Sequence, residues 1–133
     1  MPPGIDHQVF IQMLTDKFPS IAATIDEMDR GLLHLETGRF ADATRAAIEA
    51  GDLETVAQHF RFVDEVLARA DSDVENAIAV SYLEHLDLPL DDPKHIRARC
   101  MLSARQLRMY KALEESWRKT GEWLKQTKDR RGR

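Results

Sequence analysis

The sequence predicts an all-α fold of stacked antiparallel helical hairpins, a right-handed array of about six or seven helices. Three observations carry this expectation. β-branched and aromatic residues never alternate over the length of a strand. The 6 glycines and 5 prolines fall mostly between periodic apolar segments, with Gly38 and Gly121 the exceptions. Helix starts recur near Gly31, Asp52, Asp73 and Pro93, at intervals of about 21 residues, so two helices make a unit of roughly 42. One hairpin cannot cover its own apolar face, so the next must stack on it.

The elements follow from local chemistry. Asp6 can cap a first helix whose Val9, Phe10, Met13 and Leu14 recur at helical spacing, and Pro19 stops it. Ser20 can cap a second, shorter helix with Ile21, Ile25 and Met28 on one stripe. Gly31 breaks the chain before a third helix from about Leu32 to Ala50, with Leu33, Phe40, Ala43 and Ala47 inward and Gly51 as its C-terminal cap. Asp52 caps the fourth helix, where Leu53, Val56, Phe60, Val63, Leu67 and Ala70 form the clearest amphipathic stripe in the chain.

A turn at Asp71-Ser72-Asp73 leads into a fifth helix, with Asp73 as the expected cap. From Val74 to Leu86 it is apolar nearly all round, which predicts a helix at the centre of the core. Leu88-Pro89 ends it. Asp92-Pro93 opens the next, with Ile96 and Cys100 expected to face inward. Ser103 with Gln106 fits a capping box, so a break is expected near Leu102. The last helix then carries Leu107, Tyr110, Leu113, Trp117 and Leu124. One domain is expected over 1–127, followed by a basic, disordered tail over 128–133.

The stretch from Phe62 to Leu86, FVDEVLARADSDVENAIAVSYLEHL, resembles a HEAT unit: a helix, a short acidic turn, then a helix opening D-x-V with Ala and Leu inside. Glu75 stands where such units usually carry a basic residue, which departs from the pattern. The whole chain resembles small, single-domain, armadillo-like bacterial proteins of unknown function, some of them similar to immunity proteins found beside secreted toxins. The resemblance implies a binding role and no particular partner.

Composition sets the class. With 32% charged and 43% hydrophobic residues the chain is far from a disordered composition. Its 133 residues are enough to bury roughly two-thirds of the unfolded surface without a disulfide or metal staple. Cys100 is the single cysteine, so no intramolecular disulfide forms, which favours a reducing compartment. Residues 1–20 show no signal peptide, and no apolar stretch approaches the ~20 residues that span a bilayer, so a cytoplasmic protein is expected.

The net charge of −4 conceals a split. Residues 1–92 carry 19 acidic and 6 basic side chains, a net −13, and residues 93–133 carry 4 acidic and 13 basic, a net +9. Either the basic end packs across the acidic body, or one face stays exposed for a partner of opposite charge. Nucleic acid is the weaker alternative: Arg118, Lys119, Lys125, Lys128, Arg130, Arg131 and Arg133 make a basic end, with Trp117 and Trp123 available for stacking. The acidic body opposes a long polyanion, and no nucleic-acid-binding signature is present.

Motifs for chemistry are missing. His7, His34, His59, His85 and His95 form no H-E-x-x-H pair and no zinc-spaced cluster, although His59, His85 and Glu84 could meet on neighbouring helices. Cys100 reads as a small hydrophobe, and no nucleophile elbow, phosphate loop or dinucleotide fingerprint occurs. No catalytic residue, metal or cofactor is expected. The expectation is a non-catalytic protein-interaction module. Its partner-contact candidates are His59 and Phe62 on a second face of the fourth helix, a face that is otherwise sandwiched in the array, and Glu75, Asn76, Tyr82 and Glu84 on the fifth. Alternatives are an immunity-type protein neutralising a basic toxin, nucleic-acid binding through the basic end, and a homodimer pairing along the last helix.

Overall fold

Short acidic side chains set most of the helix starts. The computed structural model describes residues 4–131, with side chains described as far as Gly121. Its elements are α1 (His7–Lys17), α2 (Pro19–Ala22), α3 (Leu33–Ala50), α4 (Leu53–Leu67), α5 (Ser72–Ala77), a π-helical turn (Ile78–Tyr82), a 3-10 segment (Leu83–Leu86), α6 (Pro93–Cys100) and α7 (Ala104–Arg131). The fold is all-helical. Among the described residues the sole β-type contact is one isolated parallel bridge between Ile5 and Ala70.

Asp6, Asp52 and Asp92 cap α1, α4 and α6 as expected, their carboxylates accepting from the backbone N–H of Val9, Thr55 and His95. Gly51, with φ 72°, closes α3 in the left-handed conformation that glycine adopts without strain. Three expectations need correction. The cap of α5 is Asp71, whose carboxylate accepts from Val74 N–H at 2.9 Å; Asp73 lies inside the first turn. Asp71→Ala should therefore cost about 1 kcal/mol in urea unfolding, and Asp73→Ala a few tenths. Similar losses from both would refute this assignment.

The second helix is a single turn. Asp26 Oδ1 accepts from the backbone N–H of Met28 and Asp29, each at 2.9 Å, and this local turn competes with helix. Ile25 is buried, but Met28 is 84% exposed. In α6 the inward side chains are His95 and Ala98, while Ile96 and Cys100 face out. The Asp92-Pro93 start sets that rotational phase. The backbone helix of α7 runs on to Arg131. The side chains of Trp123, Leu124, Lys125, Lys128, Arg130 and Arg131, and all of Arg133, lie outside the described residues.

The fifth helix is buried as its composition predicts, but it is not uniform. α5 widens into the π turn and then tightens into the 3-10 segment, with Val74, Ala77, Ile78, Ser81, Tyr82, Leu83 and Leu86 all buried. It shares the centre with α3, which packs against α2, α4, α5, α6 and both irregular turns. One core cluster joins Ile5, Phe10, Phe40, Phe62, Tyr82, Leu102 and Tyr110, so α1 to α7 all contribute to it. The expected capping box at α7 is half-formed. Ser103 Oγ accepts from Gln106 N–H at 3.2 Å. The Gln106 side chain instead enters the core, where Nε2 donates to Phe60 O at 2.8 Å and Asp64 Oδ1 at 2.9 Å. No described helix is long and apolar enough to cross a membrane.

Candidate functional site

Three of the six expected contact residues are core residues. His59, Phe62 and Tyr82 are buried because α4 is packed on both sides and the π turn aims Tyr82 at α3. Thr44 joins two of them: its Oγ1 is 2.7 Å from His59 Nδ1 and 2.8 Å from the Tyr82 hydroxyl. Phe18 and Phe40 close over His59 with ring centroids at 4.9 and 5.2 Å. Burial pushes the His59 imidazole down to about 4, against weak support from Asp52. Burial likewise pushes the Tyr82 phenol well above its ordinary range, opposed by the Thr44 hydrogen bond. This group holds α3, α4 and the π turn together.

Nor do His59, His85 and Glu84 gather into one site. His85 and Glu84 are exposed, and Glu84 Oε1 accepts from Trp117 Nε1–H at 3.1 Å. Glu75 and Asn76 do stay at the surface, on the rim of a groove of about 360 Å³ between α5 and α7 floored by Ala79, Met109 and Leu113.

A larger and more strongly charged groove, about 530 Å³, opens between α1, Gly31 and the start of α5. The chain builds it by pinning its first described residues to the α4–α5 turn. Ile5 N–H donates to Arg69 O at 2.7 Å, and Asp71 N–H donates to Ile5 O at 2.9 Å. Those two bonds bring the caps Asp6 and Asp71 to one side of the molecule. Asp73 and Glu36 add two further carboxylates, and Gln8, Gln12 and Thr15 of α1 form a polar wall. Glu36 is buried and hydrogen-bonds His7.

No lysine or arginine among the described residues lines this groove. Among the described residues Arg108 and Lys111 of α7 are exposed and make no ion pair. Asp73, Ser72 and Glu75 follow one another around the first turn of α5 and connect the two grooves. Sequence reasoning used Asp6 and Asp71 as a cap and a turn residue and did not see them as a surface. The signal that could have found them was the −13 charge of residues 1–92, which has few basic side chains to absorb it.

No curated protein and no solved structure matches the chain. A family model does match, over residues 11–123, and it is not one of HEAT or armadillo repeats. Its description is "Domain of unknown function (DUF7674)", and the match spans most of the sequence, so the chain belongs to this family.

Proposed function

We propose that this chain is a non-catalytic protein-interaction module that takes a basic segment of another protein into the groove between α1 and α5. The observation that carries this reading is the convergence of Asp6, Asp71 and Asp73, alongside the His7-paired Glu36, on one groove with no lysine or arginine among its described lining residues. Carboxylates around a concavity attract a cationic partner, raise its association rate and reject acidic competitors; Asp6, Asp71 and Asp73 supply them here, while Glu36 is paired with His7. The strip continues through Glu75 and Asn76 to the groove beside α7, which adds an apolar floor for the same partner.

The reading includes the stacked-hairpin architecture. α3 and α4 pack together across the tight Gly51-Asp52 turn, as the first two helices of a HEAT-like or armadillo-like array would. It also includes a reducing, cytoplasmic setting, supported by the lone, exposed Cys100. Absence of catalysis is part of it too, supported by a His59 that burial keeps neutral inside the core. An immunity-type role, in which the basic partner is a toxin, is the sharpest form of this proposal.

The test compares the tagged full-length chain with a double variant, Asp73→Lys with Glu75→Lys, neither residue being a helix cap. The expected result is a basic protein held at moderate salt by the natural sequence, with affinity reduced at least about tenfold in the variant. Capture of nucleic acid, lost on Arg108→Glu with Lys111→Glu, would overturn the reading in favour of the basic helix. So would a captured protein whose affinity ignores the acidic substitutions.

A further inference from the structure

Three side chains far apart in sequence meet at the C-terminal end of α3. Glu49 is the penultimate residue of α3, Asp87 follows the 3-10 segment, and His95 lies in the first turn of α6. A carboxylate oxygen from each acid and a ring nitrogen of His95 lie within 4.8 Å of one another. His95 is 5% exposed, and its two nitrogens differ. Nδ1 is 2.6 Å from Asp92 Oδ2, while Nε2 is buried and has no hydrogen-bond partner among the described residues. A buried polar atom left without a partner is unfavourable, and so calls for an explanation.

From these contacts we infer that Glu49, Asp87 and His95 bind a divalent first-row transition-metal ion, with Asp92 as the carboxylate that orients the imidazole. The pairing with Asp92 places the ring proton on Nδ1 and leaves the Nε2 lone pair to face the metal, the arrangement that outer carboxylates impose on histidine ligands. Asp92 is itself fixed, because its other oxygen caps α6. Asp87 stands at φ 57°, in the left-handed region that non-glycine residues seldom occupy. Strain of that kind concentrates at sites where a side chain must be held in one direction. The loop beyond it is tied down by Arg99, whose guanidinium donates to the carbonyls of Leu88 and Leu90.

Electrostatics favour a dication here. The exposed carbonyls of a helix C-terminus carry partial negative charge, and Lys94 already responds to it, Nζ donating to Glu49 O at 2.6 Å. That lysine takes the backbone oxygen and leaves the Glu49 carboxylate available. Three carboxylates against one ammonium leave the site net negative. An imidazole beside two carboxylates suits zinc or manganese better than calcium or magnesium, which prefer oxygen alone. Ligand atoms around a tetrahedral ion at about 2.1 Å stand roughly 3.4 Å apart, a closure that rotation of two solvent-facing carboxylates supplies. The remaining coordination positions open to solvent, and the ion ties the end of α3 to the Asp87 turn and α6.

Zinc chloride added to the chelator-treated full-length chain is the probe, read by calorimetric titration and thermal melting. One ion per chain should bind, and at a hundredfold excess over Kd the melting temperature should rise by roughly 10 °C. Glu49→Gln and Asp87→Asn, both at the surface, should each weaken binding by tenfold or more. Asp92→Asn keeps a capping side chain and should weaken it about 10–100-fold. His95→Gln should abolish it, and the surface variants decide the question if that one fails to fold. Zinc affinity unchanged in both Glu49→Gln and Asp87→Asn would overturn the site. So would loss of binding on His7→Gln, or a rise in melting temperature as large with magnesium as with zinc.

Discussion

Phe62→Ala should destabilise the fold by about 3–5 kcal/mol, as much as Phe60→Ala. From the amphipathic pattern alone, Phe60 is a core residue, whereas Phe62 is either sandwiched in the array or turned to a partner, and only the second case makes the two losses differ widely. In the structure their relative exposures are 3% and 1%. The Phe62 ring has Phe10, Phe18 and Phe40 around it, at centroid distances of 6.3, 5.4 and 5.6 Å. Removing it opens a cavity whose aromatic walls are held by α1, by the Phe18 link to α2 and by α3, and cannot close together. Against a typical total of 5–15 kcal/mol, either substitution takes a large share of the stability. In chemical denaturation both midpoints should fall well below that of the natural chain. A Phe62→Ala loss under about 1 kcal/mol would show that α4 is not packed on both sides.

His59 gives the second large effect, and it depends on pH. In the unfolded chain its imidazole titrates at the ordinary 6.5, whereas in the fold burial brings it to about 4. Between those values the unfolded chain holds a proton that the folded chain lacks. Acidification therefore favours unfolding: stability from this group is flat above about pH 7, falls as the pH drops through 6.5, and levels off below about 4. The total is about 3 kcal/mol. His59→Gln has no such proton, so the natural chain should lose about 3 kcal/mol more than the variant between pH 7 and pH 4. Parallel stability profiles for the two would sink the assignment of His59 as a neutral core residue bonded to Thr44.

Much of the fold was legible because helix starts and stops are local events. Asp6, Asp52, Asp92 and Ser103 each satisfy a backbone N–H three residues ahead, and Gly51 supplies a left-handed stop, so composition and spacing sufficed to find them. Where two local options compete, the same reasoning fails. Asp71 and Asp73 are both good caps, and only the chain path set by the bond of Asp71 N–H to Ile5 O decides between them. Similarly, Asp26 closes a turn that a periodic Ile25 and Met28 do not reveal.

The candidate sites were less legible. Glu75, Asn76 and Glu84 were recognisable as surface residues because they are polar positions on an otherwise buried helix. Periodicity cannot say whether a second apolar face, such as that of His59 and Phe62, meets solvent or another helix, since both leave the same pattern. Gln106 shows the same limit, looking like a capping side chain while bonding to α4 instead. The sequence by itself determined the all-helical class, most of the helix boundaries and the division into acidic and basic parts, all of which rest on interactions within a few residues or on simple counting. Tertiary structure alone decided which faces are buried, how Asp6 and Asp71 come to share a groove, and how Glu49, Asp87 and His95 come within reach of one ion, because packing brings together residues whose separation along the chain follows no period.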